Sequence, residues 1–503
     1  MNEESEVVEA VGLEGGKVKC LGEKEEIYSK GGPETEEIEL SAVSMFPGFI
    51  DSHVHFLDLG LDRLFYANLN DTSSKEELLM KVKEEAREKN EDQWVLGSGW
   101  DESKWSDDGE FPTRYELDEV VSDKPVALQR VDMHTFAVNS MGIEKLDIDP
   151  SIQGAEKKGG EFTGIFSEDA SLEVKKEIAP GEDKTVSALK ESVREANRKG
   201  ATSINQMVVD PGEFRRYFGA YQRLRKEGDL NVRSRVYFTE NYLESVLDLG
   251  LQSGFGDDIL KIGGLKLFTD GSIGSKTAWV TQPFKGESDN YGMSIHQRDE
   301  LYEFFKKAEQ NGIQLAVHAI GDRAMDQVLD CLEELIGENG NHLRHRIEHC
   351  EMARDDQIEK MKDLGIIACM QPNFIGQWGL PGAMYEKRFD EDRLSELDRF
   401  KVFEENGVPL AFGSDGMPFD PLYGIHWAVN SPFSSQKISP RSAIKAYTLG
   451  SAYVGGMEDK VGSIEEGKYA DFVLLDGNPI EKPDRIKDMN VEMTILEGNV
   501  VYQ

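Results

Sequence analysis

Five stretches in the second half of the chain decide the fold class. They are KIGGLKLFTDG (261–271), IQLAVHAIGD (313–322), RHRIEHCE (344–351), GIIACMQP (365–372) and VPLAFGSDG (408–416). Each is a short apolar run that ends in polar residues, and charged amphipathic stretches lie between many of them. Buried strands joined by helices form βαβ units and a parallel sheet. Polar residues at the ends of successive strands are typical of the C-terminal mouth of a (β/α)8 barrel.

The first half extends this alternation and adds excess length. Strand candidates are FPGFIDSHVH (46–55), WVLGSGW (94–100), PVALQRVDMH (125–134), ATSINQMVV (201–209) and VRSRVYF (232–238). A plain barrel does not need so long a chain, so we predict an insertion over the barrel mouth at about 94–195. The strand-rich, turn-rich ends, 1–45 and 460–503, predict one small β-sandwich domain built from both termini. The expected fold is α/β: a (β/α)8 TIM barrel over 46–459, with that β domain and insertion.

Composition restricts the partners and the location. The 503 residues carry 57 Lys and Arg against 95 Asp and Glu, a formal net charge of −38. Such a charge repels nucleic acid and anionic membrane surfaces, so we expect neither as a partner. Nor does any apolar run approach the roughly 18 residues of a membrane span. Dispersed acid indicates a solvated surface, and adaptation to high salt is an explanation of this acidity that the sequence leaves open.

The cysteine pattern and the first residues favour the cytoplasm. The four cysteines form no C-x-x-C pair and no disulfide framework, which is typical of a reduced intracellular protein; they are Cys20, Cys331, Cys350 and Cys369. The opening residues MNEESEVVEA lack the basic and apolar regions of a signal peptide. We therefore expect a cytoplasmic protein.

Histidines and an aspartate stand at strand ends. His53 and His55 are two residues apart, and on a strand such residues face the same side. His318 and His349 end later strands, and Asp415 follows the last one. Taken singly, each histidine is more often a packed or surface residue than a metal ligand, and an aspartate in this position is more often a helix cap. Together, imidazole and carboxylate groups converging at one rim suit Zn²⁺, Fe or Mn²⁺.

A family resemblance rests on motifs spread over nearly the whole chain. They are FPGFIDSHVH, GSGWDESKW, FPTRYELDEV, GLKLFTDGSIGSKTA, VHAIGDRA, RIEHCE, AFGSDGMP, SAIKAYTLGSAY and GSIEEGKYADFVLLDGNP. In these motifs the chain resembles the amidohydrolase superfamily of metal-dependent hydrolases, and within it the amidohydrolase-3 family. The opening strand region is shorter than the family's usual one.

The resemblance implies a ligand set for one or two divalent ions, most often Zn, with Fe or Mn as alternatives. The implied ligands are His53, His55, Lys266, His318, His349 and Asp415. The family position of Lys266 implies a lysine carboxylated by CO2, whose carbamate bridges two metals. A bare ammonium in an apolar strand is costly, which agrees with a carbamate. The alternative for this lysine is a salt bridge to a neighbouring carboxylate such as Asp270.

The resemblance also implies the chemistry and one substrate contact, His134, while positions at strand ends and in the insertion indicate the other substrate contacts. Asp415 acts as general base and then as general acid while a metal-activated hydroxide attacks a carbonyl carbon. His134 is placed near the substrate, where it would donate to the developing oxyanion, with a structural role as the alternative. The remaining substrate-binding candidates are Trp100, Trp105, Phe268, Asp270, Asp322, Gln371 and Arg388. For the two tryptophans a core role stays open, Asp322 is also a candidate for orienting an imidazole, and for Arg388 a surface salt bridge stays open.

These expectations describe a metal-dependent amidohydrolase. It would act on a small molecule with a non-peptide C–N bond, such as an N-acyl or N-formyl amine, a cyclic amide or an imide. Ester or lactone hydrolysis at the same metal site is the nearest alternative, and a non-catalytic ligand-binding barrel is the second. A homodimer is expected from the family alone.

Overall fold

The computed structural model describes residues 7–40, 44–90, 92–106, 109–146, 148–208 and 214–503. Within these ranges we number the strands β1 to β20 in chain order. They are Ala10–Glu14, Lys17–Gly22, Ser44–Pro47, Phe49–Val54, Ala67–Asn68, Val95–Trp100, Val126–Arg130, Thr135–Val138, Ala155–Lys158, Glu161–Ser167, Ala201–Met207, Arg233–Thr239, Leu260–Phe268, Leu315–Ala319, Arg346–His349, Ile367–Met370, Leu410–Phe412, Phe472–Leu475, Val491–Leu496 and Asn499–Tyr502.

The α-helices of the same ranges are numbered α1 to α18. They are Lys24–Lys30, Phe56–Phe65, Lys75–Arg87, Arg114–Val120, Ser140–Lys145, Asp169–Glu177, Glu182–Arg198, Phe214–Glu227, Leu243–Asp248, Arg298–Gln310, Asp322–Ile336, Asp355–Leu364, Met384–Arg388, Glu391–Leu394, Phe400–Asn406, Pro421–Asn430, Pro440–Lys445 and Ser451–Val454. Among the helices described, none has both the length and the apolar character needed to cross a bilayer.

Eight parallel strands form the barrel. β4 and β11 to β17 pair in chain order in one sheet. β4 and β11 are buried along their whole length, as expected of strands covered on both faces. The last strand returns to the first, because the backbone N–H of Asp415 donates to the carbonyl of His53 at 2.8 Å. The predicted (β/α)8 barrel is therefore confirmed. The predicted strand 201–209 ends at Met207, and Val209 lies outside the described residues.

The carboxyl ends of the barrel strands lie at a common level. In the strand register, Phe268 of β13 lies opposite His318 of β14, and Ala319 lies opposite His349 of β15. Polar residues that end these strands consequently reach the same rim.

A six-stranded sheet is inserted after the first barrel strand. Its order is β5-β6-β7-β8-β10-β9, so it spans 67–167. The helix after it, α7, packs on α2 so closely that a Cβ on Gly60 would lie 1.9 Å from the carbonyl oxygen of Ala188. Helix α7 therefore belongs to the barrel, and the insertion starts and ends earlier than the expected 94–195. The bounds were predicted wrongly for two reasons. The two residues of β5 are too few to show an alternating pattern, and the amphipathic pattern of α7 does not distinguish a barrel helix from a helix of the insertion.

Both ends of the chain build the small β domain. β3 pairs with β18 in the antiparallel sheet β20-β19-β18-β3, and β1 and β2 form a hairpin. The hairpin joins the rest through Val18, whose N–H donates to the carbonyl of Lys468 at 2.9 Å. Val18 also shares a buried cluster with Phe472 and Ile495. Residues 1–6 and 41–43 of the expected domain lie outside the described residues.

Candidate metal centre

The six side chains expected to bind metal line one cavity at the carboxyl ends of the barrel strands. The cavity has a volume of about 240 Å³. The strands, or positions one to three residues after them, supply these groups, which are His53, His55, Lys266, His318, His349 and Asp415. Side chains that are far apart in the chain thus meet at one rim, as the barrel geometry requires.

Three of these side chains form the tightest group. Ligand atoms of His53, His349 and Asp415 all lie within 4.8 Å of one another. Oδ1 of Asp415 is 3.5 Å from Nε2 of His53 and 3.0 Å from Nε2 of His55. The ring of His318 adjoins that of His349, with centroids 4.5 Å apart. One ion can therefore contact several of these groups at once.

Contacts behind the imidazoles decide which nitrogen faces the cavity. Nδ1 of His53 is 2.5 Å from Oε2 of Glu348, and Nδ1 of His55 is 2.9 Å from the carbonyl of Met207. Each of these rings then directs Nε2 to the cavity, where in the neutral ring this nitrogen is the acceptor that a metal ion can use. His318 is reversed, since its Nε2 lies 3.1 Å from the carbonyl of Gly271 and its Nδ1 is left for the cavity. Such outer contacts fix the tautomer of a metal-binding histidine.

The centre contains buried polar atoms that a cation would satisfy. Among the described residues, Nε2 of His53, Nδ1 of His349 and Oδ1 of Asp415 are buried without a hydrogen-bond partner. A buried acceptor without a partner costs free energy. Nitrogen and carboxylate oxygen are the donors that Zn²⁺, Fe and Mn²⁺ accept. The residues present therefore fit a divalent metal ion.

The protonation states also suit a cation. Burial and the nearby Lys266 lower the pKa of His53 to about 4. Burial and the neighbouring His318 hold the pKa of His349 well below its usual value. Burial opposes the ionisation of Asp415, but His55 outweighs it and the pKa of this carboxyl is lowered. Neutral imidazoles and an ionised carboxylate are the forms that bind metals.

Lys266 is buried in β13 beside this group. Burial lowers the pKa of its amine to about 8. Its Nζ lies 4.5 Å from the ring centroid of Phe268. The alternative pairing with Asp270 is not formed within the described residues, because the Asp270 carboxylate accepts backbone N–H groups of Trp279, Ile320 and Gly321.

Phe268 and Asp270 occupy different positions around His318. Phe268 lines the cavity, and its ring centroid is 5.2 Å from that of His318. Asp270 lies behind the imidazole, with Oδ1 3.4 Å from Nε2. The contacts behind His318 therefore come from the Gly271 carbonyl and from Asp270, and not from Asp322. The Asp322 carboxylate instead accepts from Thr281.

Four other residues that were expected to contact the substrate do not line the cavity: Trp100, Trp105, Gln371 and Arg388. Trp100 and Trp105 pack in the core of the inserted sheet, which corrects the expectation that they wall the pocket. Their indole N–H groups donate to the Leu128 carbonyl and the Thr72 hydroxyl, each at 3.3 Å.

Arg388 and Gln371 do not line the cavity either, although the side chain of Gln371 contacts the ring of His349 behind it. The Arg388 guanidinium donates twice to the carbonyl of Gly274, at 3.2 and 3.0 Å. The amide of Gln371 donates to the carbonyl of Cys369 at 3.3 Å. A carboxylate-binding role for Arg388 therefore has no support in the geometry.

His134 does line the cavity, from the inserted sheet. Its Nδ1 is 3.4 Å from Oε2 of Glu168. Burial disfavours its charged form, but Glu168 and Asp132 outweigh burial and raise its pKa. His134 is therefore a side chain at the cavity wall whose protonated, hydrogen-bond-donating form is favoured.

Sequence reasoning missed Glu351 and Tyr385, which both line the cavity. The Tyr385 hydroxyl donates to Oε2 of Glu351 at 2.5 Å. His349 and Cys350 both have positive φ, 74° and 53°, and this left-handed pair turns the chain after β15. The signal was present in RHRIEHCE, where Glu351 is two residues after the histidine. Tyr385 lies in the five-residue helix α13, which is too short to show a periodic pattern, so no local signal marks it.

Comparison with known proteins gives consistent matches along the chain. A model of the amidohydrolase family matches residues 36–502. The YtcJ protein of Bacillus subtilis (strain 168) is 30% identical over 525 residues, which cover 100% of this chain and 97% of that protein. The N-substituted formamide deformylase of Arthrobacter pascens is 25% identical over 528 residues, which cover 98% of this chain and 95% of the relative. The crystal structure of an uncharacterized metal-dependent hydrolase from Pyrococcus horikoshii OT3 has 30% identity and a TM-score of 0.76, covering 98% of this chain and 95% of that one.

Proposed function

The chain belongs to the amidohydrolase family of metal-dependent hydrolases, and from this premise we propose that it hydrolyses a non-peptide C–N bond of a small molecule. The substrate class is an N-acyl or N-formyl amine, a cyclic amide or an imide. One observation carries the proposal: all six expected ligand side chains line one cavity, and three of them lie within 4.8 Å of one another.

The proposed ligands hold one or two divalent ions, with Zn preferred over Fe or Mn. They are His53, His55, His318, His349, Asp415 and a carbamate on Lys266. The lowered pKa of Lys266 supports the carbamate, because only a neutral amine reacts with CO2. When bound, the metal supplies Lewis acidity and a water of lowered pKa.

Two side chains move or hold protons in the proposed reaction. Asp415 accepts a proton from the attacking water through its cavity-facing carboxylate. It then donates that proton to the leaving nitrogen when the tetrahedral intermediate breaks down. His134 donates a hydrogen bond to the carbonyl oxygen, on which negative charge grows during the attack. Its raised pKa supports this role, since the protonated ring is the stronger donor.

The experiment is a screen of amides, formamides, imides and esters with metal-reconstituted protein. Asp415→Asn should lower kcat by about 10²- to 10⁴-fold and leave most of the metal bound. The control is Asp476→Asn, an exposed carboxylate that accepts the N–H of Asn490. Unchanged turnover in Asp415→Asn would remove this residue from the reaction.

Ester or lactone hydrolysis is the competing activity, because attack on a carbonyl is common to both reactions. Product analysis on paired amide and ester substrates separates them. A non-catalytic barrel would have lost some of the ligands, and this chain retains all six. For its setting, we propose a cytoplasmic homodimer that binds neither nucleic acid nor membranes.

A further inference from the structure

The inserted sheet brings a chain of paired charges to the cavity wall. The Arg130 guanidinium donates to both carboxylate oxygens of Glu102, at 2.9 and 2.8 Å, and its third nitrogen donates to Oδ2 of Asp132 at 2.6 Å. Arg130 and Asp132 both line the cavity, although only 2% of Arg130 is exposed. Fork-shaped pairing of this kind fixes the plane of a guanidinium. Arg130 therefore holds Asp132 in one orientation.

The chain of charges ends at His134. Oδ1 of Asp132 accepts the backbone N–H of His134 at 3.1 Å. Met133, between them, has a left-handed φ of 63°. A non-glycine residue keeps that conformation only where its surroundings enforce it, because it costs about 1 kcal/mol or more. On the other side, the N–H of Glu168 donates to the His134 carbonyl at 3.0 Å. The loop that presents the imidazole is thus held from both directions.

We propose that Arg130 and Asp132 are positioning residues that hold His134 against the substrate carbonyl and set how strongly its ring retains a proton. This inference rests on the proposed function, in which His134 donates to the reacting oxygen. Arg130 affects His134 by holding Asp132. Asp132 affects His134 by accepting its backbone N–H, which fixes the loop, and by its negative charge near the ring. The inserted sheet thereby takes part in the reaction centre of the barrel.

The charged groups facing His134 predict opposite effects for the two residues. Asp132 lies on the same loop as His134, Glu168 stands at the start of α6, and Lys175 lies further along α6. Loss of the Asp132 charge removes one anion that stabilises the imidazolium, so the pKa of His134 should fall. Loss of the Arg130 charge leaves Asp132 without its neutralising partner, so the pKa of His134 should rise. A merely structural role would not give shifts of opposite sign.

The test follows the titration of His134 by NMR of protein carrying ring-labelled histidine, with His134→Gln to assign the signal. Asp132→Asn should move the titration to lower pH and Arg130→Gln to higher pH. The control is Arg114→Gln, because Arg114 pairs with Glu161 in the same insertion and does not line the cavity. It should leave the titration unchanged. Shifts of the same sign, or none in either variant, would overturn the proposal.

Kinetics and stability complete the test. Asp132→Asn and Arg130→Gln should each lower kcat by about 10- to 100-fold with KM little changed, since small misplacement of a catalytic group has effects of that size. Arg130→Lys keeps the charge, so the His134 titration should stay near that of the parent protein while kcat falls. Thermal unfolding shows whether each variant is folded. The titration needs no substrate, so failure of the parent protein to hydrolyse any amide would refute the proposed function and leave this inference testable.

Discussion

Oε2 of Glu348 lies 2.5 Å from Nδ1 of His53, and both side chains are buried. Arg346 donates to the same carboxylate through Nε and Nη2, at 2.5 and 2.7 Å. Burial opposes ionisation of Glu348, yet Arg346 and His53 outweigh it and bring its pKa to about 2. An anion therefore fixes the proton on Nδ1 of His53 and leaves Nε2 free to bind metal.

Glu348→Gln should weaken metal binding by about 10- to 100-fold, because an amide fixes the imidazole less firmly and makes it a weaker base. Competition with a chromophoric chelator measures the affinity. The matched control is Glu309→Gln, since Glu309 contacts Nε2 of His345 at 2.7 Å, another buried histidine that does not line the cavity. Equal losses in both variants would contradict the assigned role of Glu348.

Removal of the metal should lower the melting temperature. A ligand that binds only the folded state stabilises it by about 4 kcal/mol at a thousandfold excess over its Kd. Calorimetry with and without a chelator measures the difference. In His53→Asn the difference should be much smaller, whereas His342→Asn, at an exposed histidine, should behave as the parent protein. A chelator that leaves the melting temperature unchanged would argue against a bound cation.

Lys266 should carry a carbamate in metal-loaded protein. Its lowered pKa, about 8, provides more neutral amine near neutral pH than an exposed lysine does. Protein reconstituted with metal in ¹³C-labelled bicarbonate should show a carbamate resonance that is absent from Lys266→Met. The buried Lys468, whose Nζ donates to the Ser463 hydroxyl, provides Lys468→Met as the control that keeps the resonance. A parent spectrum identical to that of Lys266→Met would exclude the carbamate.

Two tryptophans should respond differently to substitution by phenylalanine. Trp100 is buried in the core of the inserted sheet, so Trp100→Phe should lower the free energy of unfolding by about 1–3 kcal/mol and leave KM near the parent value. Trp378 lines the cavity, so Trp378→Phe should change KM in addition to the free energy of unfolding. Chemical denaturation and steady-state kinetics measure the two effects. A larger KM change in Trp100→Phe would restore it as a pocket residue.

Salt should stabilise the fold. A net charge of −38 repels itself most strongly at low ionic strength. Raising the salt from 0.1 to 1 M shortens the screening length from about 10 to about 3 Å. The urea midpoint should therefore rise with NaCl. Sucrose at equal osmolality gives the control for a general solute effect, and a midpoint that is insensitive to NaCl would argue against adaptation to high salt.

Several features could be predicted from local patterns. Apolar runs alternating with amphipathic stretches predicted the barrel, because a strand buried on both faces needs a continuous apolar run. The position of His318 at the end of such a run predicted its place at the rim. Asp415 could be placed in the same way, since parallel strands align their carboxyl ends at one edge.

Other features depend on contacts between distant parts of the chain. The sequence around Trp100 is the same whether its ring faces a pocket or the core of a second sheet. The choice of Asp270 over Asp322 behind His318 depends on which backbone N–H groups turn towards each carboxylate. Local sequence does not contain that information.

The sequence by itself determined the class of barrel and the chemical character of its rim, because strand burial and side-chain chemistry are properties of short segments. Only the tertiary structure decided that the inserted sheet supplies Arg130, Asp132 and His134 to the cavity, and which nitrogen of His53 faces it. These are outcomes of packing between segments more than fifty residues apart, because the approach of the segments decides which hydrogen-bond partner each group meets.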